Sequence, residues 1–268
     1  MKIKSYRIAM RSILISYLLI LVILPISAVY ENGFSLGWGP FWKTVSGPIA
    51  WSAILLTFKL SILTTLIQAV IGTFIAFVLV RYQFLGKSLL NSFVDLPFSL
   101  PTAVSGLMLL TLLGPLSPIG KWLQGIGVDL LYNQAAIVIG MVFITFPFVI
   151  RTVQPMIEQI DPYEEQVSYT LGAGKVFTFF KILLPSVVPG ILAGSMLTFS
   201  RALSEFGAIS LISGNLPGKT QVASVFIYGE IENFNTQGAA AVSIVLVTFS
   251  LIILLLVNIF QKRRGIQV

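Results

Sequence analysis

Arg201 and Glu205 stand four residues apart in the otherwise apolar stretch from Phe199 to Ala208 (FSRALSEFGA). On a helix that spacing brings both side chains to one side. An isolated Arg at a bilayer centre costs about 2.5–3.5 kcal/mol on insertion scales, so within a membrane both groups must face protein or a cavity. Two chemistries fit. Either Arg201 lines an anion path and neutralises passing charge, or the two residues form an intrahelical ion pair that stabilises a helix interface. An ionised Glu205 would cancel much of the attraction of Arg201 for a dianion, which favours the pair.

A second constellation, Ser213 to Thr220 (SGNLPGKT), looks like a phosphate-cradling loop. The nucleotide-binding pattern needs Gly, four residues, then Gly-Lys-Ser/Thr. Three residues separate Gly214 from Gly218, and position 213 is Ser, so this is not a nucleotide site. The chain has neither Cys nor His. Disulfides, thiolate and imidazole metal sites, cysteine nucleophiles and Ser-His-Asp triads are therefore excluded. Without an H-E-x-x-H or G-x-S-x-G pattern, no enzyme chemistry remains, and no cofactor is expected on this chain.

The elements that must position Arg201 and Glu205 follow from composition. Of 268 residues, 56% are hydrophobic and only 10% charged, against about 25% charged in an ordinary soluble domain. So few charges cannot cover a water-exposed surface, and 20 Phe, 8 Tyr and 4 Trp would not stay solvated in a disordered chain. The sequence reads as one all-α integral membrane domain over residues 1–268. A spanning helix takes about 20 apolar residues. Six stretches meet or approach that length: Ile13–Tyr30, Ser52–Val80, Phe93–Gly114, Gln134–Ile150, Val187–Ile212 and Ala239–Phe260.

Lys and Arg fall unevenly between these spans. Alternate compartments hold 12 and 3 of them, with Lys59 and Arg201 left inside spans. The positive-inside rule then places both termini in the cytoplasm, and the net charge of +7 reflects topology rather than nucleic-acid binding. A cleavable signal at the start is disfavoured, because Ile26 sits where the cleavage site wants a small residue.

Pro97 and Pro101 bracket a kink at the start of the third span. Backbone groups freed at membrane depth survive only against protein or a water-filled cavity, so this segment, with Thr102, is a candidate pore or gate element as well as an ordinary bend. Lys59 and Asp95 form a possible pair. Lys59 also reaches the outer interface by snorkelling from a turn or two inside its helix, and that arrangement is preferred. Gly190 and Gly194 make a close-packing motif.

The loop after the fourth span, about 156–186, is the least ordinary. Tyr163, Val167, Thr170 and Leu171 recur at helical spacing, and Gly172-Ala173-Gly174 permits a sharp turn. A second helical piece, Val176 to Leu184, carries Phe177, Phe179 and Phe180 and is expected to stop at Pro185. An apolar helix face beside a membrane lies in the interface, packs under its own bundle, or fills a partner's groove.

Gly172, nine residues, then Ile182-x-Leu184-Pro185 resembles the EAA loop of ABC-importer permeases, E-A-A-x3-G-x9-I-x-L-P. The E-A-A positions read Gln166-Val167-Ser168 here, with Glu164 and Glu165 just upstream. Asp95 to Gly106 (DLPFSLPTAVSG), Phe146 to Pro155 (FPFVIRTVQP) and Phe199 to Ala208 are similar to the sulfate/thiosulfate importer permeases of CysT type. The resemblance runs from the second span to the sixth. It implies the six-helix type I ABC importer permease architecture and a translocation path for sulfate and thiosulfate. Implied partners are a second permease subunit in a heterodimer, two ATP-binding cassette subunits and an external sulfate-binding protein. Residues 163–167, Leu171, Gly172 and Pro185 would then belong to the ATPase-coupling loop, and Pro97, Pro101, Thr102, Arg201 and Glu205 to the path or gate. The loop at 213–220 resembles the family's external docking loop. The implied location is the cell inner membrane, or the plastid inner envelope. A molybdate/tungstate permease or a self-contained secondary anion transporter are the alternatives.

Overall fold

A computed structural model describes residues 2–263, and the side chains of residues 10–255. The side chains of Lys2, Lys4, Arg7, Lys262 and Arg263, all of Arg264, and the last side chains of the sixth stretch lie outside the described residues. In chain order the helices are α1 (Lys2–Phe34), α2 (Trp38–Val45), α3 (Pro48–Arg81), α4 (Lys87–Val94), α5 (Leu96–Ser99), α6 (Thr102–Leu113) and α7 (Pro118–Gly125). They continue with α8 (Gln134–Gln159), α9 (Pro162–Thr170), α10 (Lys175–Thr178), a π turn (Phe179–Leu183), α11 (Leu184–Leu203), α12 (Gly207–Ile212), α13 (Ala223–Glu232) and α14 (Thr236–Arg263). Five stretches are long and apolar enough to cross a membrane: Met10–Phe34, Pro48–Arg81, Gln134–Gln159, Lys175–Leu203 and Thr236–Leu255. A sixth crossing exists only as the pair α6 and α7, bent by 55°.

The third stretch thus departs from the single kinked helix expected over Phe93–Gly114. It breaks into α4, α5 and α6, and the prolines explain where. Pro97 sits in the first turn of α5, where a missing N–H costs nothing. Leu100, ahead of a proline, is driven to an extended conformation (φ −94°, ψ 134°). Pro101 then precedes α6, whose 12 residues reach about 18 Å, short of the ~30 Å hydrocarbon core.

The fourth and fifth stretches also differ. Helix α8 runs nine residues past the expected end at Ile150, carrying Arg151 and Pro155 inside it. The fifth ends at Leu203, and Gly207–Ile212 is a separate helix. Glu205 causes that break: its Oε1 accepts the Ala208 N–H at 3.0 Å, and its carbonyl accepts the Ser224 hydroxyl at 2.6 Å. Pro185 does not stop its helix. The chain widens to a π turn, in which the Leu184 N–H bonds the Phe179 carbonyl five residues back. That widening relieves the clash a proline ring makes with the preceding turn.

The centre of the molecule is α3, α8 and α11, packed mutually. Helix α11 comes close to α8 because Gly190 and Gly194 lack side chains. A Cβ at Gly194 would lie 2.6 Å from the Val149 Cα, and one at Gly190 2.7 Å from the Thr152 carbonyl oxygen. The inner face of α3 is polar, with Thr57, Ser61, Thr64 and Gln68 buried. The Gln68 amide donates to the Val142 carbonyl at 2.6 Å, so the two long helices are tied as well as packed. Helix α1 stands apart, with the side chains of Met10 to Leu24 exposed and its contacts confined mainly to α14 and α2.

Candidate functional site

Two places gather the candidate residues. The first is the loop that follows α8. The Asp161 side chain caps α9 by accepting the Tyr163 N–H at 2.9 Å, which satisfies one of the helix's free donors. The helix ends as a glycine cap. Gly172 takes φ +84°, its N–H bonds the Tyr169 carbonyl at 3.0 Å, and the Ala173 N–H bonds the Ser168 carbonyl at 3.1 Å. This is the Schellman arrangement, which needs a left-handed residue and therefore favours glycine. The chain then folds back as α10, and the Ser168 and Thr178 hydroxyls meet at 2.8 Å in a buried contact.

The outward face of this loop is open. Tyr163 and Leu171 are exposed at 67% and 82%, as are Val176, Phe177 and Phe180. Val167 is half-buried, and Glu164, Gln166 and Thr170 are exposed. Glu165 behaves differently. It turns inward to Arg81, the last residue of α3, with Nη2 and Oε1 2.7 Å apart. Sequence spacing does not announce this pair, because Arg81 lies 84 positions away and reads from the sequence only as one of the basic residues that set topology. Pro185, expected in the same site, lies within the continuous helix instead.

The second place is the junction of α6, α11 and α12. Arg201 Nη2 and Glu205 Oε2 are 2.8 Å apart, although the N–H is not aimed along that line. Glu205 is buried at 1% exposure, whereas the Arg201 side chain is one-third exposed at 33%. The expected pair therefore exists, but with Glu205 just beyond the end of α11 rather than on the same helix. Just past Glu205, Gly207 receives Thr102: a Cβ there would come 2.9 Å from the Ala103 nitrogen. Thr102 and the Arg201–Glu205 turn are thus brought together, with Pro101 at the start of α6. Pro97 is not part of this junction. It is buried on an apolar groove of about 560 Å³ with Leu109, Val138 and Phe143.

Asp95 does not meet Lys59. Its carboxylate takes two hydrogen bonds from Arg151, from Nε at 2.7 Å and Nη2 at 2.6 Å. Arg151 also donates to Asn91 and Gln154, clasping α4 to α8. The i, i+4 spacing of Asn91 and Asp95 and the i, i+3 spacing of Arg151 and Gln154 are the sequence signal for this clasp. Lys59 is exposed on α3 beside Leu55 and Leu63. Because α3 starts at Pro48, Lys59 lies about three turns inside it, deeper than expected. The loop at 213–220 is a compact turn with left-handed Gly214, Asn215 and Gly218. No helix opens on its Gly-Lys-Thr, since α13 starts only at Ala223, so it lacks the geometry of a nucleotide loop.

Comparison with known proteins converges on one family. A family model described as "Binding-protein-dependent transport system inner membrane component" matches residues 68–266. The chain is 38% identical to the sulfate transport system permease protein CysT of Synechocystis sp., over 92% of this chain and 87% of that one. It is 35% identical to CysT of Escherichia coli, over 94% and 91%. A probable sulfate transport system permease protein of Chlorella vulgaris is 41% identical over 85% and 86%. Among solved structures, a chain of a bacterial alginate ABC transporter superposes with a TM-score of 0.80 at 21% identity, over 99% of this chain and 96% of that one. A chain of the MetNI methionine ABC transporter gives 0.60 at 17% identity, over 83% and 100%. These two show the fold, that of ABC importer permeases.

Proposed function

The chain belongs to the family of binding-protein-dependent transport system inner membrane components, and on that premise we propose that it conducts sulfate as a permease subunit of an ABC importer. It is a transport subunit and not an enzyme, with ATP hydrolysed on a separate chain. Near-full-length similarity to sulfate permeases from a cyanobacterium, a proteobacterium and a green alga carries this reading. Thiosulfate, a dianion of similar shape, is the expected second cargo.

The working assembly pairs this chain with a second, different permease subunit, two ATP-binding cassette subunits and an external sulfate-binding protein. The chain sits in the inner membrane with both termini on the cytoplasmic side, as the distribution of 12 and 3 basic residues supports. That orientation puts α9 in the cytoplasm. Its open face of Tyr163, Leu171 and half-buried Val167 suits the cleft of an ATPase subunit. Burying such side chains contributes about 1.5–3 kcal/mol each before association costs. Leu216, Pro217 and Lys219, exposed on the opposite surface, suit the binding protein.

Pro101, Thr102, Arg201 and Glu205 act as a gate at the α6–α12 junction. Arg201 serves there chiefly by holding the buried Glu205, which in turn fixes the Ser204–Phe206 turn through Ala208 and Ser224. Copurification tests the assembly. A tag on this chain should recover the ATPase subunit, whereas a self-contained carrier would transport anion with no ATPase present.

A further inference from the structure

The loop 162–174 touches the spanning helices through one charged contact. Among the described residues, every other polar contact of α9 stays within the loop or goes to α10, including Ser168 to Thr178. Ser168 and Thr178 tie the loop to the start of the Lys175–Leu203 stretch that immediately follows it. Among the described residues, its one ion pair to another spanning helix is that of Glu165 with Arg81 of α3. Both side chains are largely buried, at 19% exposure each, and Arg81 Nε and Nη2 are inaccessible and have no aligned hydrogen-bond acceptor. The guanidinium thus depends on the Glu165 carboxylate. A displacement of α9 must move Arg81 with it or strand two desolvated charges.

What Arg81 is attached to gives this contact its reach. Helix α3 has 34 residues, about 51 Å at 1.5 Å per residue. Near its other end, the Thr57 hydroxyl accepts the Ala223 N–H at 2.8 Å in a buried contact. The next residue, Ser224, donates to the Glu205 carbonyl at 2.6 Å. A continuous set of contacts therefore runs from the α9 loop to the turn that carries the Arg201 ion pair, through one packed helix. Close-packed interiors transmit such displacement rather than absorb it.

We propose that Arg81 and Glu165 form a strut that transmits motion of the coupling loop to α3 and, through Thr57, Ala223 and Ser224, to the Glu205 turn. Both are positioning residues, since they act through each other and through α3 rather than at the α6–α12 junction. The inference rests on the permease reading and adds the route by which the distant ATPase moves the gate. It also explains why Glu165 cannot stand in for the glutamate missing at Gln166: its carboxylate is already engaged inward.

The test uses the complete transporter in proteoliposomes, with ATPase recovery on a tagged permease and sulfate uptake per ATP hydrolysed measured side by side. Arg81→Gln should keep the ATPase on the tag but lower uptake per ATP by about tenfold, the scale of a 1–3 kcal/mol coupling. Arg81→Lys, which keeps the charge and loses the planar fork, should fall between Arg81→Gln and the wild type. The exchange Arg81→Glu with Glu165→Arg should restore most of the loss. Should Arg81→Gln fail to accumulate, the Lys variant supplies the comparison. Equal uptake per ATP in Arg81→Lys, Arg81→Gln and wild type overturns the strut and leaves the permease reading standing. A wild-type assembly without sulfate-driven hydrolysis counts against the permease reading itself.

Discussion

Gly172→Val isolates the geometry of the α9 loop from its packing. A Cβ at Gly172 would meet nothing within 4 Å, so a side chain there clashes with no neighbour in this chain. The penalty is conformational. At φ +84° an L-residue pays about 1–2 kcal/mol, and a β-branched one more. If the residue leaves the left-handed region, the two cap bonds from Gly172 and Ala173 are lost, at about 0.5–1.5 kcal/mol net each. The turn would then splay, moving Leu171 relative to Tyr163. Since about 1.4 kcal/mol is tenfold in an equilibrium, ATPase docking should weaken by roughly 10- to 100-fold. Membrane insertion should hold, because the position is exposed and lies outside every long span. The assay is ATPase recovery on a tag on this chain, normalised to permease in the membrane, with sulfate-driven ATP hydrolysis as a second readout. Gly172→Asn is the control, since Asn tolerates the left-handed region and should stay near the wild type. Unchanged recovery and hydrolysis in Gly172→Val would refute the reasoning and leave α9 as a membrane-surface helix.

Other substitutions probe the same assignments. Removing Arg201 strands the buried Glu205 carboxylate, a loss of about 3–5 kcal/mol for a broken buried pair. Arg201→Ala should therefore lower protein level and uptake more than the Arg201→Ala/Glu205→Ala double change. Glu205→Ala should be milder than Arg201→Ala, as Arg201 is one-third exposed. A folded double variant worse than both singles would point to a direct role in the anion path. Gln166→Ala should change ATPase recovery little, because Gln166 is exposed and takes no described hydrogen bond. A loss as large as that of Gly172→Val would assign Gln166 a specific ATPase contact. Calorimetry on the purified subunit should detect neither ATP nor micromolar sulfate binding, given a 213–220 loop without nucleotide geometry and an Arg201 offset by Glu205.

Composition and charge alternation were enough to read a membrane helical bundle and five of its spans, because both are local or additive along the chain. The Gly172 turn was legible for the same reason: a glycine cap is written in a few adjacent residues. What escaped was set by tertiary competition. The third stretch is predominantly apolar, yet Pro97 and Pro101 each remove a backbone donor, and the breaks fall at Asp95 and at Leu100–Pro101. The fifth runs apolar through Glu205, but the carboxylate and carbonyl of that residue find partners in α12 and α13. Pro185 ends a helix by local rules, and here a π turn absorbs it. The pairings of Asp95 with Arg151 and of Glu165 with Arg81 span 56 and 84 positions. The Asn91/Asp95 and Arg151/Gln154 spacings mark the two faces of the first clasp without naming their partner, and nothing local marks the second. Only folding of α3, α4, α8 and α9 against one another selects those partners.

Reconstitution tests the permease assignment most directly. This chain, its partner permease, the ATPase subunits and the sulfate-binding protein are assembled in proteoliposomes, and sulfate uptake and ATP hydrolysis are followed together. The expected result is uptake that needs ATP and the binding protein, with hydrolysis stimulated by sulfate-loaded binding protein. Sulfate uptake by this chain without the ATPase, or a complete assembly whose hydrolysis ignores sulfate, would contradict it.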